Sequence, residues 1–138
     1  MTGVRKVLVV DDDPEARRFV VATLVAEGWS AIEVDSGEEA LLLASRENPD
    51  LIVLDLLMPG TDGFEVLRSL RSDPAMCHIP VIMLSGINEV ELGAGYDADA
   101  IERRVGVPRP EAFLDKPVNA NALISLASEV VEQCRNTN

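Results

Sequence analysis

The chain has 138 residues, 47% of them hydrophobic, which suits one globular domain and leaves little room for two. With 12 Lys plus Arg against 24 Asp plus Glu the formal charge is −12, so a nucleic-acid duplex or an anionic membrane surface would repel it. Its two cysteines, Cys77 and Cys134, form no C-x-x-C pair and no apolar stretch reaches membrane-spanning length, so the expectation is a soluble cytoplasmic domain without disulfides or structural zinc.

In chain order, Val7-Leu8-Val9-Val10 is the first strand candidate, and it stops at Asp11, too early for the apolar core of a secretion signal. Asp13-Pro14 then reads as a helix cap followed by proline in the first turn. Ala16, Phe19, Val20, Thr23 and Leu24 follow at helical spacing, and the helix ends near Gly28. Trp29 lies at the entry to a weaker, alternating strand, Ser30 to Val34, and reads as packing. Ser36-Gly37-Glu38-Glu39 fits a capping box ahead of Ala40-Leu41-Leu42-Leu43-Ala44. Leu51-Ile52-Val53-Leu54 and Val81-Ile82-Met83-Leu84 are apolar without alternation, as strands covered on both faces are. Between them Asp62-Gly63-Phe64-Glu65 offers another box before Leu67 and Leu70. A short strand at Ala112-Phe113-Leu114 precedes a final helix striped by Leu123, Leu126, Ala127, Val130, Val131 and Cys134. Alternating strands and helices argue for an α/β fold with a parallel sheet. No repeat or linker divides the chain, so one domain is expected over residues 1–138, with its core at about 4–135.

In open α/β sheets ligands bind beyond the carboxyl ends of the strands. Here those ends carry Asp11-Asp12-Asp13, Asp55, Ser85-Gly86 and Asp115-Lys116-Pro117. If the strands are neighbours, Asp11, Asp12 and Asp55 converge, and such crowding calls for a cation or a proton. Mg²⁺ suits a pair of carboxylates with waters and a phosphate oxygen, and Mn²⁺ can replace it. Lys116 and the Ser85 hydroxyl would add a cation and a donor, a set able to stabilise a phosphoryl group on a carboxylate. Singly, each residue has a plainer role. Asp55 precedes the turn Met58-Pro59-Gly60-Thr61, Ser85 fits a loop hydroxyl, and a lysine after a strand is usually solvated. Four strand ends at one sheet edge outweigh those separate readings.

The chain resembles the receiver domain of two-component response regulators over essentially its whole length. Five segments carry the resemblance in order: Val7 to Pro14, Pro49 to Gly60, Asp62 to Glu65, Pro80 to Gly86 and Phe113 to Pro117. The resemblance implies a doubly wound, flavodoxin-like fold of five strands in the order 2-1-3-4-5 with five helices. It implies Asp55 as phosphoacceptor and Asp11 and Asp12 as the acidic pair. Asp12, Asp55 and the Leu57 backbone carbonyl would be direct Mg²⁺ ligands, with Asp11 acting mainly through water. Ser85 would be the switch hydroxyl, Lys116 the lysine that pairs with the phosphoryl group, and Phe113 the aromatic switch. Lys116-Pro117 is expected to be cis. A sensor histidine kinase or histidine phosphotransfer protein would donate the phosphoryl group, a further protein would respond, and catalysis would be limited to self-phosphorylation and slow dephosphorylation.

Three features modify that pattern. The segment from Ser85 to Lys116 is about nine residues longer than in compact receivers, an insertion at about 87–111 with a helix expected at Ala98–Val105 between Gly93-Ala94-Gly95 and Pro108-Arg109-Pro110. An altered choice of partner is the functional expectation for it, and an inert surface elaboration the plain one. Leu57 and Ile87, each two residues beyond a site residue, cannot orient an attacking water, so slow self-dephosphorylation is expected. The expectation is a stand-alone switch without an output domain, acting through a partner. Met76-Cys77-His78 contains the only histidine and lacks a second ligand cluster, so a metal role there is disfavoured. Arg17-Arg18 and Arg103-Arg104 read as solvated or partner-facing. The rival readings are a Mg²⁺-dependent phosphohydrolase acting through an aspartyl phosphate and a receiver-like docking scaffold that takes no phosphate. The hydrolase lacks a second carboxylate just beyond Asp55, where Leu56-Leu57 stand.

Overall fold

The computed structural model describes residues 4–58, 61–85 and 110–136. Strands β1 (Lys6–Val10), β2 (Ser30–Val34), β3 (Leu51–Asp55), β4 (Val81–Ser85) and β5 (Ala112–Asp115) form one parallel sheet in the order β2-β1-β3-β4-β5. The described helices are α1 (Pro14–Ala26), α2 (Gly37–Glu47), α3 (Gly63–Ser72) and α4 (Ala120–Asn136). A two-residue antiparallel pairing of Leu57–Met58 with Thr61–Asp62 lies between β3 and α3. The expected helix at Ala98–Val105, Ile87 and Arg103-Arg104 lie outside the described residues.

The continuous apolar runs are explained by what covers the sheet. Side chains alternate faces along a strand, so a strand covered on both sides must be apolar at every position. Val7, Val9, Leu51, Val53, Ile82 and Leu84 pack with Val20 and Leu24 of α1 and with Leu123 and Ala127 of α4. Leu8, Val10, Ile52, Leu54, Val81 and Met83 meet Ala40 and Ala44 of α2 and Phe64, Leu67 and Leu70 of α3. Edge strand β2 is only partly covered, consistent with its alternating sequence. Burying each large aliphatic side chain contributes roughly 1.5–3 kcal/mol, which makes these two layers the main source of stability.

The caps of α1 and α2 stand where the sequence predicts them, and two side chains are exceptions to its pattern. Asp13 Oδ1 accepts from the Glu15 N–H at 3.0 Å, and Ser36 Oγ accepts from the Glu39 N–H at 3.3 Å. Asn48 closes α2 in the left-handed region at φ 45°, and Gly28 follows α1 at φ 96°. Trp29 is buried among the α1–α4 layer. The Lys116-Pro117 bond is cis. Phe19, however, is 43% exposed, since the α1 side chains that bury fully are Val20 and Leu24, with Val21 packing beside them. Arg17 is the second exception. The sequence reads it as solvated or partner-facing, whereas its side chain is 17% exposed and makes two directed bonds within the chain.

At the amino-terminal edge of the sheet, Arg71 makes a clamp that single-residue reading does not reveal. Its side chain is 4% exposed, pairs with Glu111 Oε1 at 2.6 Å, and donates to the Ile79 carbonyl at 2.8 Å. The same Glu111 oxygen accepts from the Val81 N–H at 2.7 Å, so one carboxylate joins α3, β4 and the entry to β5. Arg71→Met removes the charge partner of Glu111 and the guanidinium donor to the Ile79 carbonyl, and is expected to cost about 2–4 kcal/mol in urea denaturation. Chemistry at the opposite sheet edge should be unchanged.

Candidate functional site

Register brings the chemical residues together. Val10 pairs with Val34 and Leu54, and Asp55 pairs with Leu84, so Asp11 and Asp55 emerge side by side from the two central strands. One residue further, Ser85 pairs with Asp115, which sets Lys116 at the same rim. Lys116 N–H donates to the Ser85 carbonyl at 2.7 Å, and Leu56 N–H donates to the Leu84 carbonyl at 2.9 Å. The strand ends are therefore tied to one another beyond the sheet itself.

Asp11, Asp12 and Asp55 each offer a carboxylate oxygen, and these atoms lie within 4.8 Å of one another. Asp11 and Asp55 are buried and Asp12 is exposed. Lys116 Nζ spans the two buried acids, 2.9 Å from Asp11 Oδ2 and 3.2 Å from Asp55 Oδ1. Asp11 Oδ1 accepts from the Asp13 N–H at 3.0 Å, whereas the fully buried Asp11 Oδ2 has the Lys116 ammonium as its partner. Burial first, and then the Asp11 charge, push the Asp55 carboxyl up to about 7 against the pull of Lys116. Burial lowers the Lys116 ammonium, but the hydrogen bond to Asp11 and the charge of Asp55 outweigh it and hold its pKa above the ordinary lysine value. Three carboxylates against one ammonium leave the cluster short of positive charge. A hard divalent cation fits that donor set, since the three carboxylates supply the oxygen ligands such an ion takes.

The other predicted residues occupy the rim. Ser85 Oγ donates to Asp115 Oδ1 at 3.2 Å, so its hydroxyl is engaged by its cross-strand neighbour. Phe113 is half-buried and packs against the α2–α3 layer. Leu57 sits in the short antiparallel pairing just beyond Asp55.

Gly63 is a structural partner of this site whose specific role the sequence did not disclose. Its N–H donates to the Leu56 carbonyl at 2.8 Å. A Cβ there would lie 2.5 Å from the Asp55 carbonyl oxygen and 2.7 Å from that of Leu56. Both obstacles are backbone and cannot rotate away. Gly63→Ala should therefore displace the Asp55 loop, costing about 1–3 kcal/mol in thermal unfolding despite alanine's better helix propensity.

Comparison with known proteins agrees with this geometry. The response regulator receiver domain model matches residues 7–128. The chain belongs to the response regulator receiver family. It is 37% identical over 114 residues to the response regulator PleD of Caulobacter vibrioides, covering 83% of this chain and 23% of that protein. It is 42% identical over 107 residues to a gliding motility regulatory protein of Myxococcus xanthus, covering 74% and 14% respectively. The chain thus spans less than a quarter of either relative. Among solved structures, the chemotaxis response regulator CheY4 of Vibrio cholerae matches with a TM-score of 0.76 and 29% identity, covering 93% of this chain and 99% of that one. A CheY-like receiver from Methanospirillum hungatei gives a TM-score of 0.82 at 21% identity over 99% of this chain and 100% of that one, a likeness of fold. This receiver is accordingly a two-component signalling module. Among the described residues, no helix is long and apolar enough to cross a membrane.

Proposed function

We propose that this receiver is a phosphorylation-controlled switch whose phosphoacceptor is Asp55. The observation that carries the reading is the acidic cluster spanned by one lysine, with Lys116 Nζ between Asp11 and Asp55. An Asp55 oxygen attacks the phosphorus of a phosphohistidine on a sensor kinase or phosphotransfer protein, or of acetyl phosphate. An O–P bond forms, the P–N or P–O bond of the donor breaks, and the leaving atom keeps the electron pair. Asp12, Asp55 and the Leu57 carbonyl would hold Mg²⁺ or Mn²⁺ directly, with Asp11 supporting it mainly through water. That ion supplies charge neutralisation of the phosphoryl oxygens when bound.

Lys116 then exchanges one carboxylate contact for a phosphoryl oxygen. Ser85 leaves Asp115 for another, and Phe113 turns in behind it. The switch is an equilibrium between two states, biased by contacts that only the phosphorylated state offers. A downstream protein reads the altered face, and the chain is not an enzyme on other substrates. With Leu57 and Ile87 apolar, the phosphorylated form should be long-lived. A Leu57→Asn, Ile87→Glu variant is expected to shorten its half-life, followed by loss of the phosphorylated mass with time.

Intact-protein mass spectrometry after incubation with acetyl phosphate tests the assignment. The expected result is one added phosphoryl group that requires both Mg²⁺ and Asp55 and is absent in Asp55→Asn. Failure with acetyl phosphate, with a phosphorylated kinase and with beryllofluoride would overturn it in favour of a docking scaffold. Sustained turnover of a simple phosphomonoester would instead favour the phosphohydrolase.

A further inference from the structure

The backbone of the loop that carries the acidic pair is held from three sides. Asp11 N–H donates to the Val34 carbonyl at the end of β2, 3.1 Å away. Asp13 N–H folds back onto Asp11 Oδ1. The Asp11 carbonyl accepts from Arg17 Nη1 at 2.8 Å, and the Asp13 carbonyl accepts from the Arg17 N–H at 3.0 Å. The same guanidinium donates through Nε to Glu33 Oε1 at 2.9 Å. Arg17 therefore braces the loop from α1, while Glu33 on β2 fixes the direction of the brace.

This placement runs against local preference. Arg17 lies in the first turns of α1, where the helix dipole disfavours a cation. It also brings positive charge towards a site argued above to bind a cation. A residue that opposes both fields is best explained by its directed contacts. One planar guanidinium can meet a carbonyl and a carboxylate at once from two edges, which an ammonium on a single stem cannot do with the same rigidity.

We propose that Arg17 is a positioning residue that sets the divalent-cation affinity of the site by fixing the loop bearing Asp11 and Asp12, with Glu33 orienting its guanidinium. The inference rests on the reading that the acidic cluster holds Mg²⁺ or Mn²⁺. Residues behind metal ligands commonly control affinity by about ten- to a hundredfold. The sign of the effect separates this role from plain electrostatics. Removing a nearby positive charge would tighten cation binding, whereas loosening the loop weakens it.

The test is Mn²⁺ titration of the intact protein, with free Mn²⁺ read by electron paramagnetic resonance. Wild type should bind one Mn²⁺ at the site and Asp12→Ala should lose it; if wild type does not bind, the reading of the site itself fails. With binding established, Arg17→Met is expected to weaken affinity about tenfold. Arg17→Lys, which keeps the charge, should weaken it too, and Arg71→Met should not, although it also removes a structural arginine. Unchanged or tighter binding in Arg17→Met overturns the proposal. Should that variant fail to fold, the charge-conserving Arg17→Lys decides: weaker binding supports the brace, and wild-type affinity overturns it.

Discussion

Asp55→Asn is expected to stabilise the metal-free protein by roughly 2–4 kcal/mol at about pH 8 and to change little at about pH 4. The folded-state pKa of Asp55, about 7, lies above its ordinary value of 3.8. Between those values the folded chain keeps a proton that the unfolded chain has released. Stability therefore falls as pH rises through this window, and above it the full cost of a buried carboxylate is present. The groups facing Asp55 are Asp11 and Asp12 beyond β1, which oppose its ionisation, and Lys116 beyond β5, which favours it. Lys116 does not reverse the slope. Its pKa is raised, so its contribution is present throughout this window and is lost only as pH climbs through the elevated lysine value. Asparagine keeps the shape and an acceptor for Lys116 but carries no charge. Urea melts at several pH values check this, and a wild-type curve flat between pH 4 and 8 would sink it. Adding Mg²⁺ should narrow the gap, because a ligand bound by the folded state stabilises wild type in proportion to its occupancy.

That prediction explains which parts of the molecule the sequence could disclose. Strand ends are legible because the doubly covered positions Val7 to Val10, Leu51 to Leu54 and Val81 to Leu84 are all apolar, so the first polar residue after each run marks the edge of the sheet. Asp11 and Asp55 stand at those stops, and topology does the rest by making their strands neighbours. The sequence was less informative where a role depends on a bond between distant segments. Arg17 and Glu33 are 16 residues apart, and Arg71 and Glu111 are 40 apart. Charged side chains read singly look solvated, and only the fold shows two of these arginines largely buried. One signal was available for Arg17, a cation in the first turns of a helix, where the dipole is unfavourable. Gly63 is similar: its helix start was readable, but its closeness to the Asp55 carbonyl is a tertiary fact. Ser85 was expected to serve the phosphoryl group, and its engagement by Asp115 followed only from the pairing register.

Lys116→Met should move stability and cation affinity in opposite directions. In the metal-free protein Lys116 is the cation beside both buried acids, and its loss leaves Asp11 Oδ2 without its ion-pair partner. Truncating one partner of a buried pair typically costs about 3–5 kcal/mol, and with Lys116 22% exposed the lower end applies. The same change removes a positive charge from the cation site, so Mg²⁺ should bind several-fold more tightly. Thermal melts with and without Mg²⁺ should then show a larger metal-induced stabilisation in the variant than in wild type. Phosphorylation should also slow in limiting Mg²⁺, because Asp55 loses the group that favours its ionised, nucleophilic form. Equal Mg²⁺ affinity in the two proteins would mean that Lys116 and the cation do not share one electrostatic site. Tighter binding together with lower metal-free stability would place the ammonium where the geometry has it, as the charge that holds the acids together until the metal arrives.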